Sequence, residues 1–213
     1  LASKVASVDR LSDGRVTLGV GLGALHGNWL AFEADEGRAV RARKLDEVLD
    51  VYAGLMGGQP FSYTGEYFSA CTVTELVPPP PVQAPHPPVW CVGLLVPGRS
   101  RQRSLERAAR WQGVFPAVAG GSLENPGSRL TPSSLRELVE HITALRAEAG
   151  QPMEDYDVVV EGDSHGEFGT VHPPVEQWAD AGATWWVESW WDLPDSPEGR
   201  TELRRRLELG PPR

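Results

Sequence analysis

Cysteine is scarce: Cys71 and Cys91 are the whole complement of a 213-residue chain. Two thiols are too few for a disulfide framework or a zinc site, so both read as reduced thiols of a cytoplasmic protein. Cys91 lies inside an apolar run and reads as a small core residue. Long hydrophobic runs are lacking too; none approaches the roughly 18 residues of a membrane-spanning helix. Positive charge is in deficit. The chain has 20 Lys and Arg against 29 Asp and Glu, a formal net charge of -9. A general nucleic-acid grip needs a basic surface, so that class of partner is excluded. No nucleophile elbow, metal-ligand spacing or phosphate-binding P-loop is present. Redox chemistry would therefore have to come from a cofactor.

What is present reads as a globular protein. Hydrophobic residues make up 40% and charged residues 23%, and the length suffices for one core, taken as a single domain over 1–213. Leu1, Val5, Val8 and Leu11 recur at helical spacing, and Ser12-Asp13-Gly14 turns the chain. Val16, Leu18 and Val20 then alternate in a strand from Arg15 to Gly21. The clearest helix spans about Arg38 to Met56, with Leu45, Val48, Leu49, Tyr52, Leu55 and Met56 on one face. Gly57-Gly58 and Pro60 stop it. Residues 61–88 read as an excursion: a small hairpin with Gly65 in its turn, then proline runs that cannot be helical.

Val89 to Gly93 is the next strand, followed by a helix from about Ser100 to Trp111. Gly113 to Ala117, Asp157 to Glu161 and Ala183 to Glu188 are further strands. Helices are expected from Pro132 to about Gly150, over about Val175 to Ala181, and from Glu198 to Leu209. Strands alternating with helices call for a parallel sheet covered by helices.

Several local strings now carry a resemblance. Asp9-Arg10-Leu11-Ser12-Asp13-Gly14-Arg15 and Leu18-Gly-Val-Gly-Leu-Gly23 come first. Arg43-Lys44-Leu45-Asp46-Glu47 follows, then Pro87-Pro88-Val89-Trp90 with Gly93. Ala108-Ala109-Arg110-Trp111 leads into Gly113-Val114-Phe115-Pro116, and Gly182-Ala183-Thr184-Trp185-Trp186 closes the series. In that order they resemble the luciferase-like flavin-dependent oxidoreductases, across nearly the whole chain.

The resemblance implies an α/β fold, a TIM-type (β/α)8 barrel of the bacterial luciferase-like kind. It is expected to be partial, with strands four to eight present and the first three missing. Leu1 in place of Met fits such a truncated frame. The resemblance also implies an active site in the loops at the C-terminal ends of the strands. It implies FMN or coenzyme F420 as cofactor, a flavin reductase as partner, and monooxygenation or oxidation of a small organic substrate. Open strand edges call for self-association as a homo-oligomer. The rival reading is a non-catalytic flavin-binding remnant.

For the cofactor phosphate, Gly98, Arg99, Ser100 and Arg103 supply backbone donors and positive charge just before a helix. The plainer reading is a capped, solvated helix start. Gly93 ends the preceding strand within the same expected cofactor site. Gly21 and Gly23 would let the backbone approach an isoalloxazine ring, or merely turn the chain. His26, Glu161, Glu188 and Trp190 are candidates for the substrate pocket. Each has an ordinary alternative: a solvated histidine, carboxylates that cap a loop or pair with an arginine, a core tryptophan. Trp185 and Trp186 should point to opposite faces of their strand, one into the barrel and one into the helix layer. No catalytic residue and no metal site is assigned.

Overall fold

A computed structural model describes residues 1–23, 34–58, 60–73, 79–119, 130–164, 173–190 and 193–210. In chain order the elements are α1 (Ala2–Leu11), β1 (Leu18–Val20), α2 (Arg38–Met56), β2 (Phe61–Thr64), β3 (Ser69–Val73), β4 (Val89–Leu95) and α3 (Arg103–Ala109). There follow β5 (Gly113–Val118), α4 (Pro132–Glu148), β6 (Asp157–Gly162), α5 (Val175–Ala179), β7 (Trp185–Glu188) and α6 (Pro197–Leu209). One sheet has the strand order β1-β4-β5-β6-β7, and β2 with β3 makes a separate two-stranded sheet. β1 runs parallel to β4 with Leu18 opposite Val89, and β6 parallel to β7 with Val159 opposite Trp185. Parallel neighbours need a crossover; α2 lies between the first pair in sequence and α5 between the second. Among the described residues no helix is long and apolar enough to cross a membrane. Cys71 is exposed and Cys91 buried, and neither is in a disulfide.

The chain forms two compact units, Leu1–Val92 with Arg110–Gly113, and Gly93–Ala109 with Val114–Arg213. In the first unit α1 buries Ala2, Val5, Ala6 and Asp9. Leu1, Val8 and Leu11 are 60%, 50% and 87% exposed. The buried stripe therefore follows the small residues, which let the helix approach its neighbours closely. Asp9 is fully buried and pins the proline-rich segment: its carboxylate accepts the N–H groups of Val82 (2.7 Å) and Gln83 (3.0 Å) and the Gln83 side-chain amide (2.8 Å). Burial pushes the Asp9 carboxyl up, but the bonds from Gln83 and Val82 outweigh it and hold it below the ordinary aspartate value.

α2 buries Leu49, Tyr52 and Met56, and Gly57 ends it as its composition requires. Tyr52 meets the His86 ring edge-on at 5.6 Å, and His86 lies 5.5 Å from Trp111. Burial, with Asp9 nearby, pushes the Tyr52 phenol up to about 12. The hairpin is antiparallel, closed by Gly65 N–H donating to Phe68 O at 2.8 Å. Glu47 of α2 holds its turn by accepting the N–H groups of Glu66 (2.7 Å), Tyr67 (3.0 Å) and Phe68 (2.8 Å).

In the second unit α3 buries Leu105, Ala108 and Ala109. α4 starts at a capping box: the Thr131 hydroxyl accepts Ser134 N–H at 3.1 Å, and Ser134 Oγ accepts Thr131 N–H at 2.9 Å. Leu135, Leu138 and Ile142 are buried below it. Val158, Val159 and Val160 of β6 are all buried, as a strand covered on both faces should be. Trp178 of α5 lies 6.4 Å from Trp186, so of the two neighbouring tryptophans it is Trp186 that takes the helix side of β7. The enclosed position expected for Trp185 is corrected: it is 52% exposed, its Nε1 donating to Asp157 at 2.8 Å. Among the described residues β7 stands at the end of the strand order.

Candidate cofactor site

The chain leaves the C-terminal end of β4 through Val96-Pro97-Gly98-Arg99-Ser100. Gly98 has φ +75 and open space where a Cβ would stand, a left-handed turn position that suits glycine. Gln102, 5% exposed, clasps the loop from inside. Its Oε1 accepts Val96 N–H at 2.6 Å and its Nε2 donates to Arg99 O at 3.1 Å. The Ser104 hydroxyl accepts Leu94 N–H at 3.1 Å and donates to Leu94 O at 3.2 Å. Gln102 O accepts the N–H groups of Leu105 and Glu106, both at 2.9 Å, so α3 begins at Arg103. This corrects the helix start expected at Ser100.

Outside the clasp, Arg99, Ser100 and Arg103 are exposed. Arg101 pairs with Glu106 at 3.3 Å. Among the described residues no carboxylate pairs with Arg99 or Arg103. Two guanidinium groups, one on this internally tied loop and one on the first residue of α3, fit an anionic group such as a phosphate ester. Gly93, by contrast, turns its Cα toward α3: an added Cβ would lie 2.6 Å from Val114 Cγ2 and 2.9 Å from Leu105 Cδ2.

In the first unit, a Cβ on Gly21 would meet Val92 Cγ2 at 3.2 Å, and Gly23 has φ +75 with open space around it. His26 falls in 24–33, outside the described residues.

Glu161 is exposed on β6. Glu188 and Trp190 are brought together. Glu188 Oε1 accepts Trp190 Nε1–H at 2.8 Å and Ser164 N–H at 3.0 Å, and Oε2 accepts Trp186 Nε1–H at 2.7 Å. Burial pushes the Glu188 carboxyl up, but the bonds from Trp186, Ser164 and Trp190 win and hold it below the ordinary glutamate range. It stays an ionised acceptor at neutral pH.

Three residues in these surroundings escape a reading of the sequence: Gln102, Asp163 and Arg206. Gln102 had a local signal, a polar residue directly before an apolar helical run. Arg206 had none, since it sits between look-alike neighbours in Arg204-Arg205-Arg206.

Residues 1–165 match the family model for luciferase-like monooxygenases. The chain resembles a monooxygenase from Streptomyces bottropensis at 24% identity and TM-score 0.54, covering 76% of this chain and 44% of that one. It resembles an F420-dependent secondary alcohol dehydrogenase, solved with an F420-acetone adduct, at 16% identity and TM-score 0.57. That match covers 98% of this chain and 66% of the other. It also resembles the oxygenating constituent of 3,6-diketocamphane monooxygenase from Pseudomonas putida, a type II Baeyer-Villiger monooxygenase solved with FMN. There the identity is 18%, the TM-score 0.53, and the coverage 78% of this chain and 46% of the other. The chain thus spans 44% to 66% of the length of these three. Their shared architecture is the fold described above: a TIM-type β/α barrel, represented here in part.

Proposed function

The chain belongs to the luciferase-like monooxygenase family, and from that premise we propose that it binds FMN or coenzyme F420 to oxidise a small organic molecule. The observation that carries this reading is the loop leaving β4. It presents Arg99, and the α3 start that follows presents Arg103, to solvent without a carboxylate partner among the described residues, while Gln102 fixes the loop's shape. Arg99 and Arg103 would hold the cofactor phosphate, Ser100 would donate its hydroxyl hydrogen, and Gly98 would let the backbone pass close by. The cofactor, when bound, supplies the hydride or oxygen chemistry. The protein's part is to bind, orient and exclude water. One of the similar structures holds FMN and another an F420 adduct, which supports a flavin-type group without choosing between them. A flavin reductase is the partner this reading calls for if FMN is used.

Titration with FMN and with F420, followed by absorbance and fluorescence, tests the reading. Saturable binding of one of them is expected. The double variant Arg99→Ala with Arg103→Ala should weaken it about tenfold or more, from two charge-assisted bonds discounted for their exposure. Unchanged affinity in the double variant removes the phosphate assignment alone. No binding of either cofactor removes the functional reading.

A further inference from the structure

α6 docks in an unusual way. Leu207 and Leu209 are 68% and 59% exposed, and the residues the helix buries are Gly199 and Arg206. A helix that merely covered a sheet would do so with leucine, because a buried cation is costly unless fully paired. Arg206 is fully paired. Its side chain is 1% exposed, Nη1 meets Asp163 Oδ1 at 2.5 Å, and Nη2 lies 3.4 Å from Asp163 Oδ2. Nε donates to Glu202 Oε1 at 2.7 Å, and Nη1 stands 3.6 Å from Glu188 Oε1. The guanidinium carbon lies 5.1 Å from the centre of the Trp190 ring.

The partners share a location. Asp163 directly follows β6, and Glu188 is the last residue of β7. Both stand at C-terminal strand ends, where β/α barrels build their sites. Glu188 passes the restraint on, gripping Trp190 Nε1–H and Ser164 N–H with one oxygen. Trp190 is thus held twice, by a hydrogen bond at its edge and a cation over its face. Two such restraints leave an indole with few orientations. The family match ends at residue 165, so Glu188, Trp190 and Arg206 lie outside it.

We propose that Arg206 is a positioning residue: through Asp163 and Glu188 it fixes the segments after β6 and β7 and sets the Trp190 ring at the rim of the ligand site. The ligand in this inference is the flavin-type cofactor of the reading above, on which it rests.

The test isolates Trp190 emission as the difference between each protein and its Trp190→Phe counterpart. Arg206→Met keeps bulk and removes charge; Arg206→Lys keeps charge and loses the planar fork. Folding is checked by urea unfolding. In folded Arg206→Met, Trp190 emission is expected to shift to the red and to become more open to acrylamide. The Kd for FMN, or for F420 if that is what the wild type binds, should rise about tenfold, the loss of one well-placed aromatic contact. Arg206→Lys should recover part of both effects. If Arg206→Met does not fold, Arg206→Lys decides by the same two readouts. Unchanged Trp190 emission overturns the proposal, whatever the cofactor result. So does a freed Trp190 with unchanged cofactor affinity. A wild type that binds neither cofactor overturns the functional reading, and with it the ligand part of this one.

Discussion

Replacing Gly93 by alanine is expected to destabilise the protein by about 1–3 kcal/mol, the range for overpacking a filled core, and Gly93→Val by more. The added Cβ would stand 2.6 Å from Val114 Cγ2, 2.9 Å from Leu105 Cδ2 and 3.7 Å from Ala108 Cβ. Val114, Leu105 and Ala108 are all fully buried, so none can swing into solvent to make room. The measurement is the urea midpoint at an unchanged slope. A second substitution gives the sharper check. Leu105→Ala alone should destabilise by opening a cavity. Combined with Gly93→Ala it should cost less than the two changes added, because the new methyl enters the vacated space. Full stability in Gly93→Ala, with cofactor binding lost, would assign Gly93 to the cofactor instead of to helix packing.

The second large effect concerns Asp9. Asp9→Ala removes the acceptor for Val82 N–H, Gln83 N–H and the Gln83 amide together. Bonds to a charged acceptor contribute about 1.5–3 kcal/mol each and do not add fully, so a loss of about 3 kcal/mol is expected. Asp9→Asn keeps one carbonyl oxygen and should lose less. The pH dependence has a definite sign. The folded-state pKa lies below the ordinary aspartate value, so near that value the folded protein binds fewer protons than the unfolded chain. The Asp9 contribution is therefore complete above that value and fades as pH falls through the lower folded-state value. Urea midpoints of wild type and Asp9→Asn should converge on acidification below about pH 4 and run parallel at neutral pH. A gap that stays constant into acid would show that the carboxylate charge is not what pins residues 82 and 83.

Much of the chain was legible because backbone state is set locally. α2 could be read to its ends, since an apolar face of helical period meets a glycine pair and a proline. The five strands of the large sheet were legible as short apolar runs between turn signals. The hairpin announced itself through Gly65. In the candidate site the loop of Gly98, Arg99, Ser100 and Arg103 was legible for the same reason: a turn glycine and cationic side chains are properties of neighbours in sequence. Its rigidity was not. That depends on Gln102 folding inward: a polar residue directly before an apolar helical run signals where a helix starts, not that its side chain turns back to tie the loop.

What the sequence by itself determined is the order of β and α elements, the family they compose, and the composition of the loop after β4. Tertiary structure alone decided which charged groups go inside. Asp9 is anchored by residues 73 and 74 positions away, and Arg206 by Asp163, 43 positions away. Likewise Leu11 faces solvent while Ala6 is buried. Apolar period and turn chemistry act through adjacent residues and can be read in order. The burial of a charge turns on distant partners arriving together, and no local pattern distinguishes Arg206 from the two arginines before it.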